Sequence, residues 1–323
     1  MSKILVKGLI LFALIGLVLL ILLTGQSPFG KSNSSFATEQ GREITRIELS
    51  SAGRKLILEK KNDAWLINGK SEARKSGIMF IERILREIKI KSPVSAGLFE
   101  SEIKDKNIIP VKVKVFENRS LLNNFLVYKT MSNPYGNIMK IKESSKPFIV
   151  YVPGYDGNIG SVFITNELYW QPYIVFNLLP SEIASVKFEN FSDTTSSFKI
   201  TKIDQQFSLS GSPGINTGWD SSLIIRYLSY FARVPFESWA FDLKDIEKKS
   251  IEASQPLYRI TVITSRKSTN ILNLWALQTM DNGFKKTDSD RLLGKTDASD
   301  GLFIMRYFDI DPLIKKRSYF FPQ

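Results

Sequence analysis

Any chemistry in this chain has to be done by few kinds of side chain. Its 323 residues include neither histidine nor cysteine. That removes the commonest general base, the usual activator of a serine, the favoured zinc ligand and every thiolate. A lysine held beside a serine is a workable base and nucleophile, and two Ser-x-x-Lys spacings occur, Ser101 with Lys104 and Ser196 with Lys199. Both residue types are abundant, so such spacings arise by chance. The second pair also leads into an alternating strand that sets its members on opposite faces. No Gly-x-Ser-x-Gly, phosphate-loop or dinucleotide fingerprint is present. Asp288 and Asp290, with Asp297 and Asp300 before Gly301, raise the question of calcium. An EF-hand loop needs oxygen ligands at its first, third and fifth positions, and counting back from Gly301 places Ala298 at the third, so the run reads as surface loop. Asp309 and Asp311, ahead of Pro312, read as caps of a short helix or turn. The expectation is no catalytic, cofactor-binding or metal residue, and a protein that is not an enzyme.

Binding chemistry has more material. Trp65, Trp219, Trp239 and Trp275 are candidates for a groove. Trp65 and Trp275 stand on alternating strands and read as core, whereas Trp219, between Gly218 and Asp220, reads as the most exposed. Tyr169, Trp170 and Tyr173, within residues 163–179, read as packing that closes a first unit and joins it to a second. The net charge of +12 suits anionic headgroups, an acidic glycan or an acidic protein. Lys315-Lys316-Arg317 reads as a solvated tail.

The chain opens with an apolar run. Residues 8–24 carry no charge, and Ile4, Leu5 and Val6 extend the run past Lys7. About 20 helical residues cross a hydrocarbon core of about 30 Å. The run exceeds the apolar core of a cleaved signal, and Leu22-Leu23-Thr24-Gly25 is a poor cleavage site. Residues 1–25 therefore read as an uncleaved signal anchor with residues 4–24 in the bilayer. Lys3 and Lys7 precede the span and the next cation is Lys31, so the positive-inside rule leaves the N-terminus cytoplasmic and the bulk of the chain outside. In a bacterium that is a single-pass inner-membrane protein with a periplasmic body, and no nucleic-acid partner is expected. Residues 26–43, with Ser27-Pro28 and Ser34-Ser35, read as a flexible linker.

Two units follow, at residues 44–180 and 181–323. The first is organised by Lys55 to Gly69: Leu56, Leu58, Trp65 and Ile67 alternate on one face of a hairpin with a polar turn at Lys60 to Ala64. Phe198 to Gly211 repeats the length and the pattern through Phe198, Ile200, Phe207 and Leu209, with Lys202 and Gly211 matching Lys60 and Gly69. A strand precedes each hairpin, at Ile44 to Leu49 and Ile183 to Phe188. A helix follows each, at Lys75 to Ile90 through Ile78, Ile81, Ile84, Leu85 and Ile88, and at Asp220 to Arg233 through Leu223, Ile224, Tyr227, Leu228 and Phe231. Pro93 and Pro235 stop these helices. Val111 to Val115 is matched by Tyr258 to Val262, Phe125 to Thr130 by Leu274 to Thr279, and Phe148 to Val152 by Leu302 to Arg306. The fold class expected is α+β: a transmembrane helix, then two tandem repeats of mostly antiparallel sheet, each with one covering helix.

These features resemble the bacterial proteins grouped as domain of unknown function 4340. That family shows an N-terminal span, an Ile-x-x-Ile strand (Ile44 to Ile47 here), a Leu-x-Leu…Trp-x-Ile hairpin (Leu56 to Ile67, with Trp65) and a helix ending before a valine-marked turn (Ile78 to Val94). The second copy departs from it, with Phe207 in place of the tryptophan. The resemblance covers most of residues 44–320 and brings no catalytic residues. It implies a partner in the inner membrane, such as an ABC transporter permease or an auxiliary subunit similar to those linked to gliding motility. The expected function is a non-enzymatic, membrane-anchored accessory or scaffold protein of a bacterial envelope assembly. The alternatives are a periplasmic glycan- or lipid-binding module using a cleft between the units, and a histidine-free hydrolase.

Overall fold

In the first unit, β1 (Arg46–Ser51), β2 (Arg54–Lys61) and β3 (Ala64–Ile67) form a meander, as the alternation dictates. The structure is a computed structural model and describes residues 36–130, 137–203, 206–211, 218–281 and 283–321. Asn62 and Asp63 close the β2–β3 hairpin with φ of +48° and +66°, the left-handed pair whose twist matches that of the strands it joins. Leu58 lies opposite Ile67 and Lys60 opposite Trp65. Leu56, Leu58 and Ile67 are buried and Trp65 is half-buried against them.

The unit continues through β4 (Ser71–Glu72), α1 (Lys75–Glu87), β5 (Lys89–Pro93), α2 (Ala96–Phe99) with a π-helical turn at Glu100–Lys104, β6 (Val111–Glu117), β7 (Ser120–Tyr128), β8 (Asn137–Lys140), β9 (Phe148–Tyr151) and α3 (Glu167–Trp170). The strands make one antiparallel sheet in the order β4-β3-β2-β1-β6-β7-β8-β9-β5. Helix α1 buries Gly77, Ile78, Ile81, Ile84 and Leu85. It ends at Glu87, three residues before the expected Ile90, because Lys89–Pro93 pairs with β9 instead.

The second unit runs β10 (Ile174–Phe176), β11 (Ile183–Asn190), β12 (Phe198–Ile203), β13 (Gln206–Ser210), α4 (Ser221–Ser229), β14 (Val234–Pro235), β15 (Ser238–Trp239), α5 (Asp245–Ala253), β16 (Tyr258–Thr264), β17 (Thr269–Asp281), β18 (Phe284–Thr296), β19 (Phe303–Arg306) and α6 (Tyr307–Ile310). Its main sheet is antiparallel in the order β13-β12-β11-β16-β17-β18-β19-β15. Beginning at β3, the first sheet follows the same path, strand for strand. The match extends to side chains: Ile200 lies opposite Leu209 and Lys202 opposite Phe207, so half-buried Phe207 holds the place of Trp65. Helix α4 carries buried Tyr227, whose ring meets Phe198 of β12 at 5.5 Å.

Mostly antiparallel sheet with few helices is the architecture, and three expectations need correction. First, each unit has helical cover on both sheet faces, not one helix on one face. Phe125 and Val127 of β7 point into the core that holds α1, whereas Leu126 and Tyr128 point the other way, with Leu98, Phe99 and Ile103 packed over them. In the second unit Ile251 of α5 packs with Trp275 and Leu293, on the face opposite Leu272 and Leu274. Helices α2 and α5 are hard to read in the sequence because Leu98 and Phe99 of the one and Ile251 of the other are too few to make a helical stripe. Second, the boundary falls between Pro172 and Tyr173, not at residue 180, because Ile174–Phe176 pairs with Val234–Pro235 of the second unit. Third, the end of the linker is fixed: Phe36 is buried edge-on to Phe125 and Phe148, and Thr38 N–H donates to Leu85 O at 2.8 Å. One ring inserted into the core outweighs the polar residues around it.

The expected span (residues 4–24), the whole of 1–25 and the first part of the linker lie outside the described residues. Among the described residues no helix is long and apolar enough to cross a membrane.

Candidate functional site

The Ser-x-x-Lys pairs do different jobs from the one their spacing suggested. Ser101, exposed on the π-helical turn, donates to Leu98 O at 3.3 Å, while Lys104 pairs with Glu100 at 2.7 Å. Ser196 is buried in a turn, donating to Asp193 O at 2.8 Å and accepting from Asn190 Nδ2 at 3.0 Å. Lys199 is exposed on β12, between buried Phe198 and Ile200. Both serines are engaged in local backbone geometry.

The acidic groups are similarly occupied. Asp288 Oδ1 accepts from the N–H groups of Asp290 and Arg291, at 2.8 and 2.9 Å. Asp297 Oδ1 accepts from Ile271 N–H at 2.9 Å. Among the described residues no group of three or more carboxylates is placed to hold a metal ion. Asp309 lies in the first turn of α6 and pairs with Arg306 at 2.9 Å, while Asp311 holds the C-cap position of that helix and pairs with Lys315 at 2.6 Å. The Asp309 pair holds the Arg306 guanidinium above its ordinary pKa, first through the hydrogen bond and then through charge.

Of the aromatic candidates, Trp170 is fully buried and donates from Nε1 to Ile164 O at 2.8 Å, with Tyr169 edge-on at 5.1 Å. Tyr173 belongs to the second unit, stacked on Phe236 at 5.0 Å. Trp239 is buried against Phe236 and Phe303. Trp219, expected to be exposed, is half-buried.

Trp275 comes nearest to a binding site. It lines a hollow of about 270 Å³ on the α5 face of the second sheet, with Arg259, Asn273, Lys295, Glu252 and Asp297. Register explains the grouping, since Arg259 lies opposite Asn273 and Asn273 opposite Lys295, so the polar chains form a row across three strands. Arg259 Nε donates to Asn273 Oδ1 at 2.8 Å, with its guanidinium 5.4 Å from the Phe191 ring centroid. Lys295 pairs with Glu252 at 2.7 Å, and Trp275 Nε1 donates to Ser254 O at 3.1 Å. The hollow offers two cations beside an indole edge, partly offset by two carboxylates. This suits weak polar recognition and lacks a nucleophile with an activating base. Arg259, Asn273 and Lys295 are not legible as a group in the sequence because their proximity depends on pairing between distant strands.

No family model matches the chain, and no curated protein is similar to it.

Proposed function

We propose that this chain is a non-enzymatic accessory or scaffold subunit of a bacterial envelope assembly, such as an ABC-type transport system of the gliding-motility kind. It would be held in the inner membrane by residues 4–24, with its N-terminus in the cytoplasm and two tandem repeats in the periplasm. The observation that carries this reading is the common strand path of the two sheets, down to the matched pairs Lys60–Trp65 and Lys202–Phe207. A repeated frame with diverged surfaces suits a part that presents related faces to a partner, and the resemblance to the 4340 family points the same way. The uncharged run 8–24 supplies the anchor that would confine it beside a membrane partner.

The test is purification of the tagged full-length chain from its native membranes after gentle cross-linking, with mass spectrometry of what accompanies it. Permease or ATPase subunits that co-purify, and are lost when residues 1–25 are exchanged for an unrelated span, would support the reading. A chain that emerges alone with lipid or glycan bound would overturn it.

A second reading, a glycan- or lipid-binding module, is favoured by the hollow at Trp275, where an aromatic lies beside Arg259 and Lys295. Titration of acidic glycans and lipid headgroups should then change tryptophan emission in the full-length chain and lose that effect in Arg259→Ala. An unchanged spectrum in both would remove this reading.

A further inference from the structure

Strands β17 and β18 outrun the sheet they belong to. Strand β16 pairs with β17 only as far as Leu274, and β19 meets β18 only from Arg291, while the β17–β18 ladder continues to the pair Asp281–Phe284. Beyond the register shift at Ala276/Gln278, the segment Gln278 to Thr287 is a two-stranded arm, reaching roughly 15 Å past its neighbours at about 3.3 Å per residue. Among the described residues its counterparts in the first unit, β7 and β8, have nine and four residues.

The arm carries its large apolar side chains where water is most accessible. Met280 and Phe284, 67% and 78% exposed, stand at the last two pairs of the ladder, with Lys285 and Lys286 following in the chain. Gln278, Thr279, Thr287, Ser289 and Asp290 make the base polar. Register puts Met280 and Lys285 on one face and Phe284 and Lys286 on the other. The polarity therefore changes along the arm and not across it. A protein groove or an added strand would engage one face or one edge, leaving the other apolar residue in water. A bilayer interface accepts both faces of an arm that enters end-on, with lysine ammonium groups reaching back to anionic headgroups.

We infer that the β17–β18 arm is a membrane-contacting finger: Met280 and Phe284 enter the interface of an anionic bilayer, and Lys285 and Lys286 meet its headgroups. The polar character of Asp281, Asn282 and Gly283 in the sequence between Met280 and Phe284 limits the contact to the interfacial layer. The inference rests on the proposed anchor for the presence of a bilayer, and with it would give the body a second point of attachment. The chain's charge of +12 adds a general attraction to anionic lipid.

The lack of cysteine makes single-site labelling of the full-length chain direct. Cysteines placed by Met280→Cys (tip), Ser289→Cys (base) and Leu19→Cys (anchor), one per variant, would carry an environment-sensitive nitrobenzoxadiazole probe. Each protein would be reconstituted in phosphatidylcholine vesicles with and without phosphatidylglycerol. The expected result is blue-shifted emission at residue 280, quenched by brominated lipid when phosphatidylglycerol is present and lost when Phe284→Asp is added, with residue 289 remaining aqueous. Aqueous emission at residue 280 beside lipid-quenched emission at residue 19 would overturn the finger and leave the anchor standing. Aqueous emission at both would overturn both. Equal quenching at residue 280 without phosphatidylglycerol would overturn the headgroup role of the lysines. A residue 280 probe that shifts only in native membranes would assign the arm to a protein partner and overturn the lipid contact.

Discussion

Gly294 on β18 lies opposite Phe303 on β19, and a Cβ built on it would come within 2.3 Å of the Phe303 ring. That ring is buried and stacked on Phe236 at 4.5 Å, so it has little room to move, and the glycine is required by packing and not by backbone angle. Gly294→Ala should cost about 2 kcal/mol, as overpacking of a filled core does, read as a lower denaturation midpoint at unchanged slope; a neutral variant would mean that the ring slides aside. Glu82 on α1 gives a test by pH. Half-burial pushes its carboxyl above the ordinary range, against the opposing pull of Arg86 and Lys60. A carboxyl raised in the folded state contributes stability that is complete below its unfolded pKa and is lost as pH rises through the folded value. Glu82→Gln should therefore stabilise the chain at neutral pH and change nothing below about pH 4. Denaturation at the two pH values would decide, and a variant weaker at neutral pH would show that the attraction to Arg86 and Lys60 outweighs burial.

Two turns give tests at the level of elements. The β2–β3 hairpin needs left-handed backbone at both Asn62 and Asp63, and only glycine adopts that conformation freely. Asp63→Gly should raise stability by about 0.5 kcal/mol or more, the strain relieved outweighing the added freedom of the unfolded chain; a lower melting temperature would contradict this. At the base of the β17–β18 arm, Asp288 satisfies two backbone N–H groups within the bulge. Asp288→Ala should speed amide exchange through Gln278 to Thr287 and leave Tyr258–Thr264 protected, whereas uniform loss of protection would show that the arm and the sheet unfold together. How legible each element was depends on local chemistry. The β2–β3 and β12–β13 hairpins were readable because alternation and turn residues sit within one short stretch. The stretch Asp288 to Asp290 of β18 reads as surface loop in the sequence because Lys285 to Asp290 has no alternating apolar residues. Pairing with β17 is what makes β18 a strand, and register likewise creates the hollow around Arg259, Asn273 and Lys295.

At the scale of the whole molecule, each unit has its own sheet and buried residues. A protease site placed between Pro172 and Tyr173 should thus yield two pieces that both keep β-sheet circular dichroism and a cooperative melt, while collapse of either piece would mean that the units do not fold alone. The sequence by itself determined the repeated order of strand, hairpin and helix and the antiparallel character. These follow from periods of two and 3.6 residues and from turn chemistry, all local properties. Tertiary structure alone decided the burial of Phe36 from an otherwise polar linker, the transfer of residues 173–180 to the second unit, the helical cover on the second sheet faces and the exposure of Met280 and Phe284. Each depends on which distant strands pair and where that pairing stops. Periodicity shows that a strand has two faces; only its neighbours determine what covers each face, or whether anything does.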